Sequence, residues 1–130
     1  MANDLERYSR DFLSLADGQS ITAQQYDHET GKMTKPKKIR SNDFIIASGL
    51  HVFYLPILRD TLGLKIFLDM DESLRRYFKM ERDVKVRGHT KVKVLKSLQE
   101  RKIDSDKFIK PQLAHADVIF SLKPVHPLLQ

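Results

Sequence analysis

The sequence predicts an α/β layered domain, with a mostly parallel sheet, flanking helices and a small antiparallel excursion near residues 20–41. Three observations carry this. Short apolar runs at Phe44-Ile-Ile-Ala47, Lys65-Ile-Phe-Leu-Asp69 and Asp117-Val-Ile-Phe-Ser121 have the length of buried strands. The stretches between them have helical periodicity and stop signals. The segment from Ser20 to Arg40 instead has short extended pieces around turn residues.

In chain order, Asn3 or Asp4 caps a first helix in which Leu5, Tyr8, Phe12 and Leu15 share a face, and Gly18 ends it. QSITAQQYDH and KKIR then read as two or three antiparallel strands, turning at Glu29-Thr-Gly31 and Thr34-Lys-Pro36. After the first buried run, Pro56 to Leu62 forms a short helix that ends at Gly63. After the second, Asp71-Glu-Ser opens a helix with apolar positions at Leu74, Phe78 and Val84, broken at Gly88. Helical spacing resumes from Val92 to Leu98, a shorter turn or helix follows from Asp104 to Lys110, and Pro111 begins another. Three parallel-type strands are few for a sheet that must cover both faces, so the chain reads as part of a larger sheet.

Composition narrows the classes. At 41% hydrophobic and 31% charged residues, the chain suits a globular core. No apolar run approaches the roughly 18 residues of a membrane span, and the start MANDLERYSRD lacks a signal peptide's apolar stretch. Without cysteine there is no disulfide framework, thiol nucleophile or zinc-thiolate site, and a reducing cytoplasm is the expected compartment. The net charge of +6 implies an anionic partner: nucleic acid, an acidic surface or a phosphorylated small molecule. The cations cluster twice. Lys32, Lys35, Lys37, Lys38 and Arg40 lie in the turn-rich stretch, and those from Arg75 to Lys93 alternate with acids. Either cluster also fits a solvated face. Aromatics do not interleave with them as a base-stacking surface would require, so nucleic acid is an unlikely partner.

Chemistry concentrates in three places. Asp69, Asp71 and Glu72 put three carboxylates at the end of the second strand, where they suit a metal or base role or a helix cap. Lys79, Arg82 and Lys85, or Lys79 and Asp83, are three to four apart and line one helical face; Arg87 lies one turn on, and Gly88 presents Arg87 and His89 from a turn. Such cations suit a phosphate clamp, Arg binding bidentately and Lys as a point charge, or a salt-bridged surface helix. Ser48-Gly-Leu-His51 follows the first buried run, where Gly49 allows close ligand approach and His51 is either a proton shuttle or structural. His28, His115 and His126 share no metal-ligand spacing, and no Gly-x-Ser-x-Gly elbow occurs.

In order, DFIIASGLHVFY (43–54), LKIFLDMDESLR (64–75), FKMERDVKVRGH (78–89), KFIKPQ (107–112) and ADVIF (116–120) resemble the phosphoribulokinase/uridine kinase family of P-loop small-molecule kinases. The resemblance runs from about Asp4 to Phe120. It is closer to the phosphoribulokinase branch, whose Tyr-x-His-x-Thr-Gly turn matches Tyr26, His28, Thr30 and Gly31. That branch's Lys-x-x-Arg-Asp and Arg-Gly-His match Lys79, Arg82, Asp83, Arg87, Gly88 and His89. Nucleoside kinases of the family instead have paired arginines at Phe78 and Lys79, a base-contacting His at Gly31 and an Arg at His89.

The resemblance implies a partial P-loop NTPase-like fold and an ATP- and Mg2+-dependent transfer to a hydroxyl of a small anionic acceptor, a sugar phosphate rather than a nucleoside. By position, Lys79, Arg82, Arg87 and His89 would bind phosphate, with Gly88 in a mobile lid. Tyr26 and His28 would line the acceptor pocket, and Ser48, Gly49 and His51 would sit beside the phosphates. Two departures stand out. Ser48-Gly49 replaces the family's usual Glu-Gly, and no Gly-x-x-x-x-Gly-Lys-Ser/Thr occurs in the 130 residues. The phosphate-cradling loop and catalytic Asp are therefore expected upstream, which makes this chain the carboxyl-terminal part of one kinase domain. No catalytic or metal-binding residue is assigned within it. Its expected partners are the missing amino-terminal half and a second copy, without a membrane, and alone it is expected to be inactive. The alternative is a nucleotide- or sugar-phosphate-binding regulatory module that has lost the P-loop.

Overall fold

A computed structural model describes residues 4–27 and 29–125, which form two compact units, 1–63 and 64–130. In the first, Leu5–Ala16 (α1) begins at Asp4, whose carboxylate accepts the Arg7 N–H at 2.9 Å. The helix ends as predicted. Gly18 takes φ +82°, its N–H donates to the Leu15 carbonyl, and the Gln19 N–H donates to the Ser14 carbonyl. This is the paired C-terminal closure that a residue without Cβ permits.

The antiparallel excursion is one bent hairpin. Ile21–Ala23 (β1) pairs with Lys37–Ile39 (β4), and Tyr26–Asp27 (β2) pairs with Lys32–Met33 (β3). The Thr34 N–H donates to the Gln25 carbonyl at 2.7 Å, so the ladder runs on between the two pairs. One residue, Gln24, then faces two, Lys35 and Pro36, before Ala23 pairs with Lys37. Thr34-Lys-Pro36 is thus a bulge within a strand and not the turn its composition suggests. A bulge is where a ladder tolerates a proline, which has no N–H to donate.

Phe44–Ala47 departs from expectation. It forms no strand, and Phe44 and Ile46 are 90% and 95% exposed while Ile45 and Ala47 are partly covered. Burial alternates with the two-residue period of a strand, yet no described strand pairs with the segment. Apolar composition favours a strand, but only a neighbour's N–H and C=O groups make one. Pro56–Thr61 (α2) follows, with Leu58 1% exposed beside the buried Phe12 and Phe53.

The second unit carries the parallel pair. Ile66–Met70 (β5) and Val118–Leu122 (β6) run parallel, in register from Ile66↔Val118 to Met70↔Leu122. Asp117 sets this register. Its carboxylate accepts the Lys65 N–H at 2.8 Å and pairs with the Lys65 ammonium at 3.2 Å. Position and direction match the prediction, but burial does not. β6 is exposed along its length and Leu68 is 74% exposed, because among the described residues each strand has only the other as a ladder partner. Glu72–Met80 (α3) and Lys91–Asp104 (α4) pack through the buried Leu74 and Val94. Between them lie a π-helical turn over Glu81–Val86 and a left-handed Gly88 at φ +66°. A second π-turn, Ser105–Ile109, and a 3-10 turn, Lys110–His115, lead into β6.

Candidate phosphate-binding site

The cations of the second unit gather around Asp83, which is only 5% exposed. Its Oδ1 accepts Arg82 Nε at 2.8 Å and an Arg87 guanidinium N–H at 3.2 Å. Asp83 and Arg87 are four apart, a spacing that shares a helical face, and Arg82 adjoins Asp83 in the chain. At 3.6 residues per turn, positions five apart on an α-helix diverge by about 140°. Here the Arg87 N–H donates to the Arg82 carbonyl at 3.2 Å, an i to i+5 bond, and the wider turn returns Arg87 to the side of Arg82. Such π-turns often mark functional sites. The His89 N–H donates to the Asp83 carbonyl at 2.9 Å, closing the loop past Gly88. Each guanidinium keeps most of its five donors off the carboxylate, so Asp83 orients the pair without occupying it.

Lys79 completes the cluster from the last turn of α3. It is half-buried and donates to Ser97 Oγ at 3.4 Å on α4. Burial pushes the Lys79 ammonium below its ordinary value, with Arg101, Arg82 and Arg87 adding repulsion and Asp83 opposing them. Asp83 itself is held below the usual carboxylate range, chiefly by the hydrogen bond from Arg82. The site is an excess of positive charge held at close quarters, the electrostatic complement of a phosphate group. An anion bound there would relieve the repulsion on Lys79. The Lys79 Cε NMR signal is therefore expected to titrate at lower pH than the exposed lysines, and to move upward when pyrophosphate is added. An unchanged midpoint would mean the anion sits elsewhere.

Sequence spacing puts Lys79 and Arg82 on one helical face and Arg87 one turn beyond; in the structure Arg82 and Arg87 share Asp83, and Lys79 turns to Ser97 on α4. Lys85, counted on that face, instead pairs with Glu81 in solvent. Asp83 as organiser and Arg101 as neighbour were missed. Arg101 had a signal, since Val94, Ser97 and Arg101 share a stripe of α4 at helical spacing.

The carboxylates after β5 take the helix-cap reading. Asp71 caps α3 by accepting the Ser73 N–H at 2.9 Å, Glu72 pairs with Arg75 at 3.0 Å, and Asp69 lies 3.8 Å from the same arginine. Among the described residues no group of three or more His, Asp or Glu side chains is placed to hold a metal ion. The two best-formed concavities are about 530 Å³ beside Asp71, Ser73 and Lys123, and about 420 Å³ between α3 and α4. Neither is lined by Lys79, Arg82 or Arg87.

The other candidates lie in the first unit. The Tyr26 hydroxyl is 3.7 Å from where a Cβ on Gly31 would stand, and Gly31 adopts φ +68°, so the turn closes tightly under the ring. His28 lies outside the described residues. Ser48 and Gly49 are exposed, and His51 meets Tyr54 edge-on with ring centroids 6.1 Å apart. No helix of the described residues is long and apolar enough to cross a membrane.

Comparison with known proteins places this arrangement. The Phosphoribulokinase / Uridine kinase family profile matches residues 1–128. A phosphoribulokinase from Synechocystis sp. is 34% identical over 123 residues, which are 95% of this chain and 37% of that protein. The chloroplastic phosphoribulokinase of Spinacia oleracea is 32% identical over 123 residues, 95% of this chain and 31% of that protein. A uridine kinase from Chloroflexus aurantiacus is 31% identical over 109 residues, 82% of this chain and 52% of that protein. The chain spans about a third of the length of these phosphoribulokinases and about half of that uridine kinase. A family match over nearly the whole chain, with relatives of 34% and 32% identity, shows that this chain belongs to the phosphoribulokinase/uridine kinase family.

Proposed function

We propose that this chain is part of an ATP-dependent kinase that transfers the γ-phosphoryl group to a hydroxyl of a small anionic acceptor, a sugar phosphate. The observation that carries the reading is the Lys79–Arg82–Arg87 cluster organised by Asp83. Phosphoryl transfer asks a protein mainly to position the phosphates and balance their charge, and fixed guanidiniums do both. In this reading Lys79, Arg82, Arg87 and the His89 turn hold phosphates, with Gly88 as the hinge of a lid. Tyr26 and His28 hold the acceptor, and Ser48, Gly49 and His51 lie beside the phosphates. Magnesium would arrive with the nucleotide, bound chiefly through its phosphates.

The absence of a Gly-x-x-x-x-Gly-Lys-Ser/Thr motif from the 130 residues favours a division of labour. The phosphate cradle and the catalytic carboxylate would come from residues outside this sequence. The same absence supports a second reading, a non-catalytic module that binds nucleotide or sugar phosphate. Titration of the purified chain with ATP, a pentose phosphate and uridine tests both, alongside an assay for ATP-dependent product. The expected result is binding of the two phosphorylated ligands, none of uridine and no turnover. Binding confined to uridine would overturn the sugar-phosphate reading, and turnover would overturn the division of labour. Fusion to an amino-terminal kinase segment separates the remaining two: restored activity supports the kinase, and retained binding without activity supports the module.

A further inference from the structure

The charge of the chain is concentrated in a place the phosphate site does not use. Residues 32–40 carry Lys32, Lys35, Lys37, Lys38 and Arg40 and no carboxylate, against a net charge of +6 for the whole chain. Among the described residues none of the five makes an ion pair, whereas the lysines of α4 and the segment after it find Glu100 and Asp106. All five are exposed. They lie along β3, the bulge, β4 and the residue after it, and among the described residues β4 has a single ladder partner, β1, so no described strand pairs with its other edge. An open edge offers a row of N–H and C=O groups to another extended chain. Lysines there repel a second basic copy of the same edge and attract an acidic one.

We infer that the outer edge of β4 is a docking site for an acidic, extended polypeptide segment of a partner protein, added as a further strand. Three features favour a polypeptide over a nucleic acid. The edge presents backbone groups that a peptide backbone pairs with and a phosphodiester does not. Residues 32–40 contain no aromatic side chain on which a base could stack. Consecutive lysines, Lys37 and Lys38, point to opposite faces of the strand, and an acidic strand with carboxylates on both faces meets that pattern. Met33 and Ile39, 53% and 43% exposed, offer apolar surface between the charges.

The test is fluorescence anisotropy on the full chain with a labelled peptide of alternating Glu and Val. The controls are its Gln-Val counterpart, the same acidic peptide N-methylated on alternate residues, and a single-stranded RNA of equal charge. The acidic peptide is expected to bind, and to weaken at least about tenfold when ionic strength rises from about 0.05 M to about 0.5 M. The Gln-Val peptide and the K35Q/K37Q/K38Q/R40Q variant are each expected to lose at least about tenfold in affinity, with circular dichroism confirming that the variant folds. N-methylation, which blocks strand pairing and leaves charge intact, is expected to cost about as much. Equal binding of the methylated peptide, tighter binding of the RNA, or no binding of the acidic peptide would each overturn the inference.

Discussion

Leu58→Ala is expected to cost about 2–5 kcal/mol, the range for truncating a buried leucine whose cavity cannot fully collapse. Leu58 is 1% exposed, and Phe12 and Phe53 are its fellow buried apolar residues in the first unit. Net stability of a small unit is itself only about 5 kcal/mol, so the loss approaches the whole. Urea unfolding followed by α1 and hairpin NMR resonances checks this. Leu58→Met, which keeps the volume, is expected to stay within about 1.5 kcal/mol of the parent. A Leu58→Ala loss no larger than that of Leu58→Met would mean Leu58 is not the centre of this core.

Asp83→Asn is the second large effect, for a different reason. The substitution keeps the shape and removes the charge that Arg82 and Arg87 share. Stranding a charge in a dry interior costs about 3–5 kcal/mol. Here the arginine side chains are 51% and 35% exposed and regain water when released. The loss of charge-assisted hydrogen bonds then dominates, at about 1–2 kcal/mol. The sign with pH follows from the depressed carboxyl. The Asp83 contribution is fully present above its unfolded value of 3.8 and fades as pH falls through the lower folded value. The stability difference between parent and Asp83→Asn is therefore expected to be flat from neutral pH down to about 4 and to shrink below it. Lys79 supplies an independent readout, because Asp83 is what opposes the downward push on its ammonium. Its NMR midpoint is expected to fall further in Asp83→Asn. An unchanged midpoint would show that the two groups do not interact.

Much of the architecture was legible in sequence because its causes are local. Asp4 and Gly18 bracket α1 through groups within a few residues of each end, and Pro56 opens α2 at its first position, while α2 ends at Thr61 without a left-handed turn at Gly63. β5 and β6 were legible as strands because their apolar runs are short and bounded by turn residues. Phe44–Ala47 has the same composition and became no strand. Its text describes which side chains it would bury, whereas strand formation requires a hydrogen-bonding neighbour, and that is a long-range fact. Thr34-Lys-Pro36 misled similarly. Turn residues and bulge residues are the same residues, and only the pairing of Gln25 with Thr34 distinguishes them.

The candidate phosphate site divides along the same line. Its proposed cations are readable in sequence, since Lys79, Arg82 and Arg87 stand in an ordered motif ending at Gly88. That Arg82 and Arg87 share one oxygen of Asp83, while Lys79 reaches Ser97 instead, is visible only in the structure, because spacing names neighbours on a helix without choosing among the partners each side chain can reach. By itself the sequence determined composition, charge, helix ends and family, all of which depend on residue identity and near neighbours. Tertiary structure decided which apolar run gains a ladder partner, how Arg82 and Arg87 converge on Asp83, and that the five cations of residues 32–40 stay unpaired beside an open strand edge. Those outcomes depend on distances between groups far apart in sequence or on which partner a side chain reaches, which residue identity alone does not specify.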